Sequence, residues 1–161
     1  TWIGGEDKPS LVLGNGRPFF VKLQNPNKRK LRLTSKIFKS LKINRLKIVS
    51  DSPKKPLKFI SSIKMRISAE SDIKIQNLKK LKDLIKSPVV VYDVSGKRSE
   101  KKISSVKYKK TSQNEFSLFL KADGGLPIKR FVNGDNVSPG VSSIIDNSCK
   151  CLEFDFLDIR V

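Results

Sequence analysis

The chain has no histidine and only two cysteines, Cys149 and Cys151. Without histidine, Ser-His-Asp and Cys-His arrangements for acyl transfer are excluded, as are histidine acid–base pairs. Two thiols spaced C-x-C cannot fill the four-ligand shell of a structural zinc ion, so no metal site is expected; on a strand both would share one face and pack in the core. Gly14-Asn15-Gly16 lacks the spacing and the Lys-Ser/Thr ending of a phosphate-cradling loop, which argues against nucleotide hydrolysis. A carboxylate is the remaining reactive group. Asp7 is the most unusual one, because Gly4-Gly5-Glu6-Asp7 stands directly before a tract, residues 8–50, with 12 basic residues and no acidic one. In such a field a carboxylate stays ionised and can serve as nucleophile or base. On spacing alone the same four residues also read as an ordinary surface turn.

The charge of the whole chain points to the partner. Lys plus Arg number 34 against 15 Asp plus Glu, a net charge of +19. Such a surface repels itself, and a phosphate backbone relieves the repulsion by exchanging condensed counterions for Lys and Arg. A merely solvated, heat-adapted surface would mix both signs, whereas residues 8–50 offer no internal ion pairs. No apolar run reaches the ~18 residues of a spanning helix and no signal-peptide pattern opens the chain, so a membrane is not expected as partner. The two thiols fit a reducing, cytoplasmic setting. Thr1 at the start implies a processed terminus or a fragment.

These groups need a frame. Residues 10–13 and 18–23 read as short strands flanking the Gly14-Asn15-Gly16 turn, a hairpin-like element. Asn25-Pro26-Asn27 ends the second, and a basic cluster over residues 28–32 leads to a helix capped by Ser35, with Ile37, Phe38 and Leu41 on its apolar face. Residues 43–49 are extended, Pro53-Lys54-Lys55-Pro56 breaks the chain, and residues 57–69 alternate as a longer strand with Ile63, Met65 and Ile67 on one face. Ile75, Leu78, Leu81 and Ile85 then recur at helical spacing until Ser87-Pro88. Strands at 89–94, 101–109 and 115–121 follow, connected by Ser95-Gly96 and Ser112-Gln113-Asn114, with antiparallel pairing expected. Gly124-Gly125 ends the third, residues 126–132 start a helix that Gly134 stops, and residues 149–161 close with an alternating strand. The sum is one α+β domain over residues 1–161, a mostly antiparallel sheet with two or three helices packed on it.

Gly4-Gly5-Glu6-Asp7, followed by Leu13-Gly14-Asn15-Gly16-Arg17-Pro18-Phe19 and Asn25-Pro26, resembles the archaeal and eukaryotic tRNA pseudouridine synthases of the Pus-ten family. A second block in the same order is similar to that family's C-terminal segment: Leu120-Lys121-Ala122-Asp123-Gly124-Gly125, then Ile128-Lys129-Arg130-Phe131-Val132-Asn133-Gly134-Asp135, then Leu152-Glu153-Phe154-Asp155. The likeness spans nearly the whole chain. It implies a pseudouridine-synthase-like fold and a cofactor-free isomerisation of uridine in the T-arm of tRNA, at positions 54 and 55. Under it Asp7 is the nucleophile, Lys129 the basic residue that pairs with the carboxylate, and Ile128 and Phe154 line the uracil pocket. The basic tract, with Arg17, Lys28, Arg29, Lys30 and Arg32, becomes the surface that grips folded RNA.

Three positions depart from the family pattern. Gly5 stands where the family has Arg, Ile63 falls at the Tyr that stacks on the target base, and Phe154 replaces a Leu. Tyr92 or Tyr108 would have to supply the missing ring. These departures carry a second expectation, a catalytically inactive relative that binds RNA or associates with ribosomal RNA. Family members also extend upstream, so an upstream fragment or a second chain is expected to complete the domain.

Overall fold

The structure is a computed structural model that describes residues 3, 10–28, 35–38, 41–49 and 57–161. Its elements in chain order are β1 (Lys36–Phe38), β2 (Leu41–Ile43), β3 (Ile60–Ala69), α1 (Ile75–Lys80), a 3-10 helix (Leu81–Ile85), β4 (Val89–Tyr92), β5 (Arg98–Lys101), β6 (Ile103–Lys110), β7 (Glu115–Asp123), α2 (Ile128–Asn133), β8 (Val137–Ser138), α3 (Val141–Ile145) and β9 (Cys149–Arg160). Four strands in the order β6-β7-β3-β9 form an antiparallel sheet, β5-β4-β8 form a second, and β1-β2 a third.

Period-2 alternation fixes the main sheet. Along β3, Ile63, Met65 and Ile67 are buried while Lys64 and Arg66 are exposed. Across the ladder Ile63 meets Leu120 and Phe156, and Met65 meets Leu118 and Phe154, so the middle of this face is apolar across β7, β3 and β9. The helical layer covers that face: Leu78, Leu81, Leu84, Ile128, Phe131, Val132, Val141 and Ile145 join the same core. Burying an apolar side chain of this size stabilises by roughly 1.5–3 kcal/mol, which is why the layer forms although none of its helices exceeds six residues. Cys149 and Cys151 both lie on the buried face of β9, unoxidised.

Several expected elements differ. The helix from Ser35 is instead the β1-β2 hairpin, with Ile37 paired to Lys42. Ile37, one member of the expected apolar face, is 72% exposed, and so short a helix does not hold without packing. The turn after Leu13 forms, with the Gly16 N–H donating to the Leu13 carbonyl at 3.1 Å, but residues 18–23 form no strand. Val12 pairs in parallel with Phe156 instead, and β9 exchanges backbone hydrogen bonds with Leu11 and Leu13 at 2.9 and 2.8 Å. The open edge of a long strand out-competes a local hairpin for those groups. The strand expected over 101–109 divides at Lys102 into β5 and β6, because Lys102 bonds to Asp123 through both its N–H and its carbonyl. Hence β4 pairs with β5 and β8, away from β6. The break at Pro53-Lys54-Lys55-Pro56 lies outside the described residues.

Candidate active site

Lys129 is the exposed second residue of α2, and the chain pins that helix at both ends. Before it, Gly124 donates its N–H to the Phe59 carbonyl at 2.7 Å, and Lys101 Nζ donates to the Gly124 carbonyl at 2.8 Å. A methyl group on Gly124 would sit 2.3 Å from the Phe59 ring, so only glycine permits this approach. After it, Gly134 takes a left-handed conformation at φ +87° and donates to the Arg130 carbonyl, which ends the helix. Gly140 packs on that turn, where a Cβ would lie 2.6 Å from the Gly134 Cα. Arg130 gathers the carbonyls of Tyr92 and Asp135, and Ser142 Oγ donates to the Val132 carbonyl at 2.8 Å. Lys129 therefore rides on a short helix with little freedom to tilt.

Ile63, Ile128 and Phe154 come together in one core. They are 1%, 5% and 5% exposed, and α2 packs on β9. Phe154 meets Phe156 edge-to-face, with centroids 5.9 Å apart, and Phe156 is the cross-strand neighbour of Ile63. Ile63 packs and carries no hydroxyl. Tyr108 shares its face of the sheet but sits two strands away on β6, half-buried against the core. Tyr92 belongs to the second sheet and is 42% exposed. The two tyrosines are not neighbours of Ile63 in the ladder.

Asp7 lies outside the described residues, as do Arg29, Lys30 and Arg32. The flanks of Asp7 are described. Ile3 is 2% exposed, donates its N–H to the Pro18 carbonyl at 3.1 Å, and accepts from Arg17 Nε at 2.8 Å. On the other side the Leu11 N–H donates to Asp155 Oδ1 at 2.9 Å, and Asn15 bridges Asp158 and Arg45. Arg17 thus ties the N-terminal segment to itself, while Lys28 is exposed outside any element.

Two acids have their charge secured: Asp158 is held below the usual carboxylate range by Arg160, with help from Asn15, and Asp93 by Ser95 and the Lys97 backbone. Burial pushes the Cys149 thiol up to about 11, against a smaller lowering by Ser142. No group of three or more His, Cys, Asp or Glu able to hold a metal occurs among the described residues, nor does any helix long and apolar enough to cross a membrane. Lys101, Phe59 and Ser142, which position α2, escaped notice in the sequence; the Gly124-Gly125 pair was the visible signal and reads there only as a strand end.

The family described as "Pus10, C-terminal" matches residues 2–160. The chain belongs to the Pus10 family. Within that family, a tRNA pseudouridine synthase Pus10 of Nitrosopumilus maritimus (strain SCM1) is 63% identical over 161 residues, 100% of this chain and 42% of the relative. The Pus10 of Cenarchaeum symbiosum (strain A) is 37% identical, over 100% of this chain and 40% of that protein. The chain therefore spans about two fifths of the length of these Pus10 relatives. A chain in the crystal structure of a Cbf5-Nop10-Gar1 complex superposes with a TM-score of 0.53 at 7% identity, covering 62% of this chain and 30% of that one. At that identity the likeness bears on fold, and the fold is the α+β, pseudouridine-synthase-like one expected.

Proposed function

We propose that this chain is the C-terminal part of a tRNA pseudouridine synthase catalytic domain, which isomerises uridine in the T-arm of tRNA. The observation that carries the reading is the 63% identity, over the whole chain, to a protein named as a tRNA pseudouridine synthase. Asp7 is the nucleophile in this reading. Its carboxylate attacks the target nucleotide as the glycosidic bond breaks, the freed uracil turns and bonds through C5 with release of the carboxylate, and the proton lost from C5 is balanced by one gained at N1. The base leaves its stack first, at a cost of a few kcal/mol that phosphate contacts offset. Lys129 holds the carboxylate ionised and aimed, a role that suits a helix pinned at both ends. Ile63, Ile128 and Phe154 give the uracil pocket an apolar lining; Lys129 is exposed in the free chain, and the bound base excludes water from the Asp7–Lys129 pair, which strengthens it. The net charge of +19 supports tRNA as partner, with Arg17, Lys28, Arg29, Lys30 and Arg32 on the gripping side. No cofactor enters the chemistry, the setting is cytoplasmic, and a segment upstream or a second chain completes the domain.

The absence of a hydroxyl at Ile63 favours one other reading, an inactive relative bound to tRNA or ribosomal RNA. Asp7→Ala separates the two. The synthase reading expects pseudouridine formation on a T-arm transcript to vanish while tRNA affinity stays within a few-fold. Equal product from wild type and variant would remove Asp7 from the chemistry. RNA binding without product from the wild type would favour the inactive relative.

A further inference from the structure

The sheet face opposite the helices carries a grid of side chains set by register. Directly paired residues share a face, and one row across the sheet reads Lys107, Phe119, Lys64, Asp155. The adjoining rows on that face read Ser105, Lys121, Ser62, Asp158 and Lys109, Ser117, Arg66, Glu153. Phe119 thus has Lys107 and Lys64 directly across from it, and Lys109 and Lys121 one row away. Its neighbours along β7, Leu118 and Leu120, are buried on the other face, whereas Phe119 is only partly buried. The ring therefore stands outside the main core.

The charges on this face divide. Its acids lie along β9 and at the two ends of β7 and are engaged: Asp155 accepts from Leu11, Asp158 from Asn15 and Arg160, Glu153 from Arg66 at 3.1 Å, Glu115 pairs with Arg66 at 3.9 Å, and Asp123 accepts from the Lys102 N–H at 2.9 Å. Lys64, Lys107, Lys109 and Lys121 are exposed, and none forms an ion pair among the described residues. Strands about 4.8 Å apart put the backbones of Lys64 and Lys107 about 10 Å apart, with the ring between them. Lysines around an aromatic ring match an unpaired nucleic-acid strand, whose bases offer a stacking face and whose phosphates offer charge. A duplex keeps its bases stacked inside and offers the ring nothing.

We infer that this face is a platform for single-stranded RNA, on which Phe119 stacks an unpaired base while Lys64, Lys107, Lys109 and Lys121 take phosphates beside it. The choice of RNA rests on the function proposed above; the preference for an unpaired strand rests on the grid. The test is binding of the 161-residue chain to a short fluorescein-labelled single-stranded RNA and to an RNA duplex. Phe119→Ala should weaken single-strand binding roughly tenfold and duplex binding less than twofold, with Phe119→Trp retaining affinity. Lys64→Ala with Lys107→Ala should lower the slope of log affinity against log salt by about 1.4 for the single strand. The lysine pair is exposed, so it decides the matter even if Phe119→Ala fails to fold. Wild-type affinity and slope in these variants would overturn the platform and leave the RNA reading standing. No RNA binding by the wild-type chain would remove both.

Discussion

The Phe59 ring closes over Gly124 so tightly that a single added methyl group would lie 2.3 Å from it, and this contact fixes the loop that delivers Lys129. Gly124→Ala should destabilise the chain by about 1–3 kcal/mol through overpacking. Phe59→Leu should recover part of that loss in the double variant, because the three atoms nearest the added methyl all belong to the ring. Denaturant melts of the two single variants and the double variant form the cycle, and simple additivity would mean the ring is not the obstacle.

At the other end of α2, Gly140→Ala should cost more than Gly134→Ala. The second change forces a side chain into the left-handed region, worth about 1–2 kcal/mol. The first drives a methyl group to 2.6 Å from backbone, which no rotamer relieves. Chemical denaturation of both variants gives the order.

Ser142 Oγ donates to the Val132 carbonyl at 2.8 Å and accepts from the Cys149 N–H at 3.0 Å, so one hydroxyl joins α2, α3 and β9. Ser142→Ala leaves two backbone groups without this partner and should destabilise by about 1–3 kcal/mol. Ser142→Thr, which keeps the hydroxyl, should lose less if the added methyl is accommodated; the melting temperatures of the two variants are the readout.

The Cys149 thiol predicts a pH effect of defined sign. Its folded pKa of about 11 lies above the ordinary 9.0, so the unfolded chain releases the proton first as pH rises. Its contribution to stability is complete below pH 9 and declines between about 9 and 11. Cys149→Ala should flatten that part of the stability profile relative to wild type. At neutral pH a thiol reagent should modify Cys149 and Cys151 only as fast as the chain opens, since both are buried.

The long elements were legible because burial and local pattern agree in them. Ile63, Met65 and Ile67 alternate and are buried; Leu78 and Leu81 recur at helical spacing and are buried. The β1-β2 hairpin was not, since Ile37, Phe38 and Leu41 fit a helical face as well as a short strand, and only tertiary packing chooses. Val12 found β9 rather than its own hairpin for the same reason: the competing partner lies 144 residues away. α3 hides because Val141–Ile145 is five residues of β-branched and serine types, poor helix formers held by Ser142 and Ser143. At the site, Lys129 is one lysine among many in composition, and family likeness alone singled it out. The helix that carries it was legible from Pro127 and Gly134.

Isomerisation of T-arm uridine by this chain is tested by a single-turnover assay of the chain, in excess, on a T-arm RNA transcript, with pseudouridine mapped by nucleotide position. Pseudouridine is expected at position 54 or 55 from the wild type, none from Asp7→Ala, and a rate lowered by orders of magnitude in Lys129→Ala with RNA affinity retained. Full occupancy of the RNA by the wild-type chain with no pseudouridine, even when the upstream region of the family is supplied as a second chain, would contradict the synthase reading.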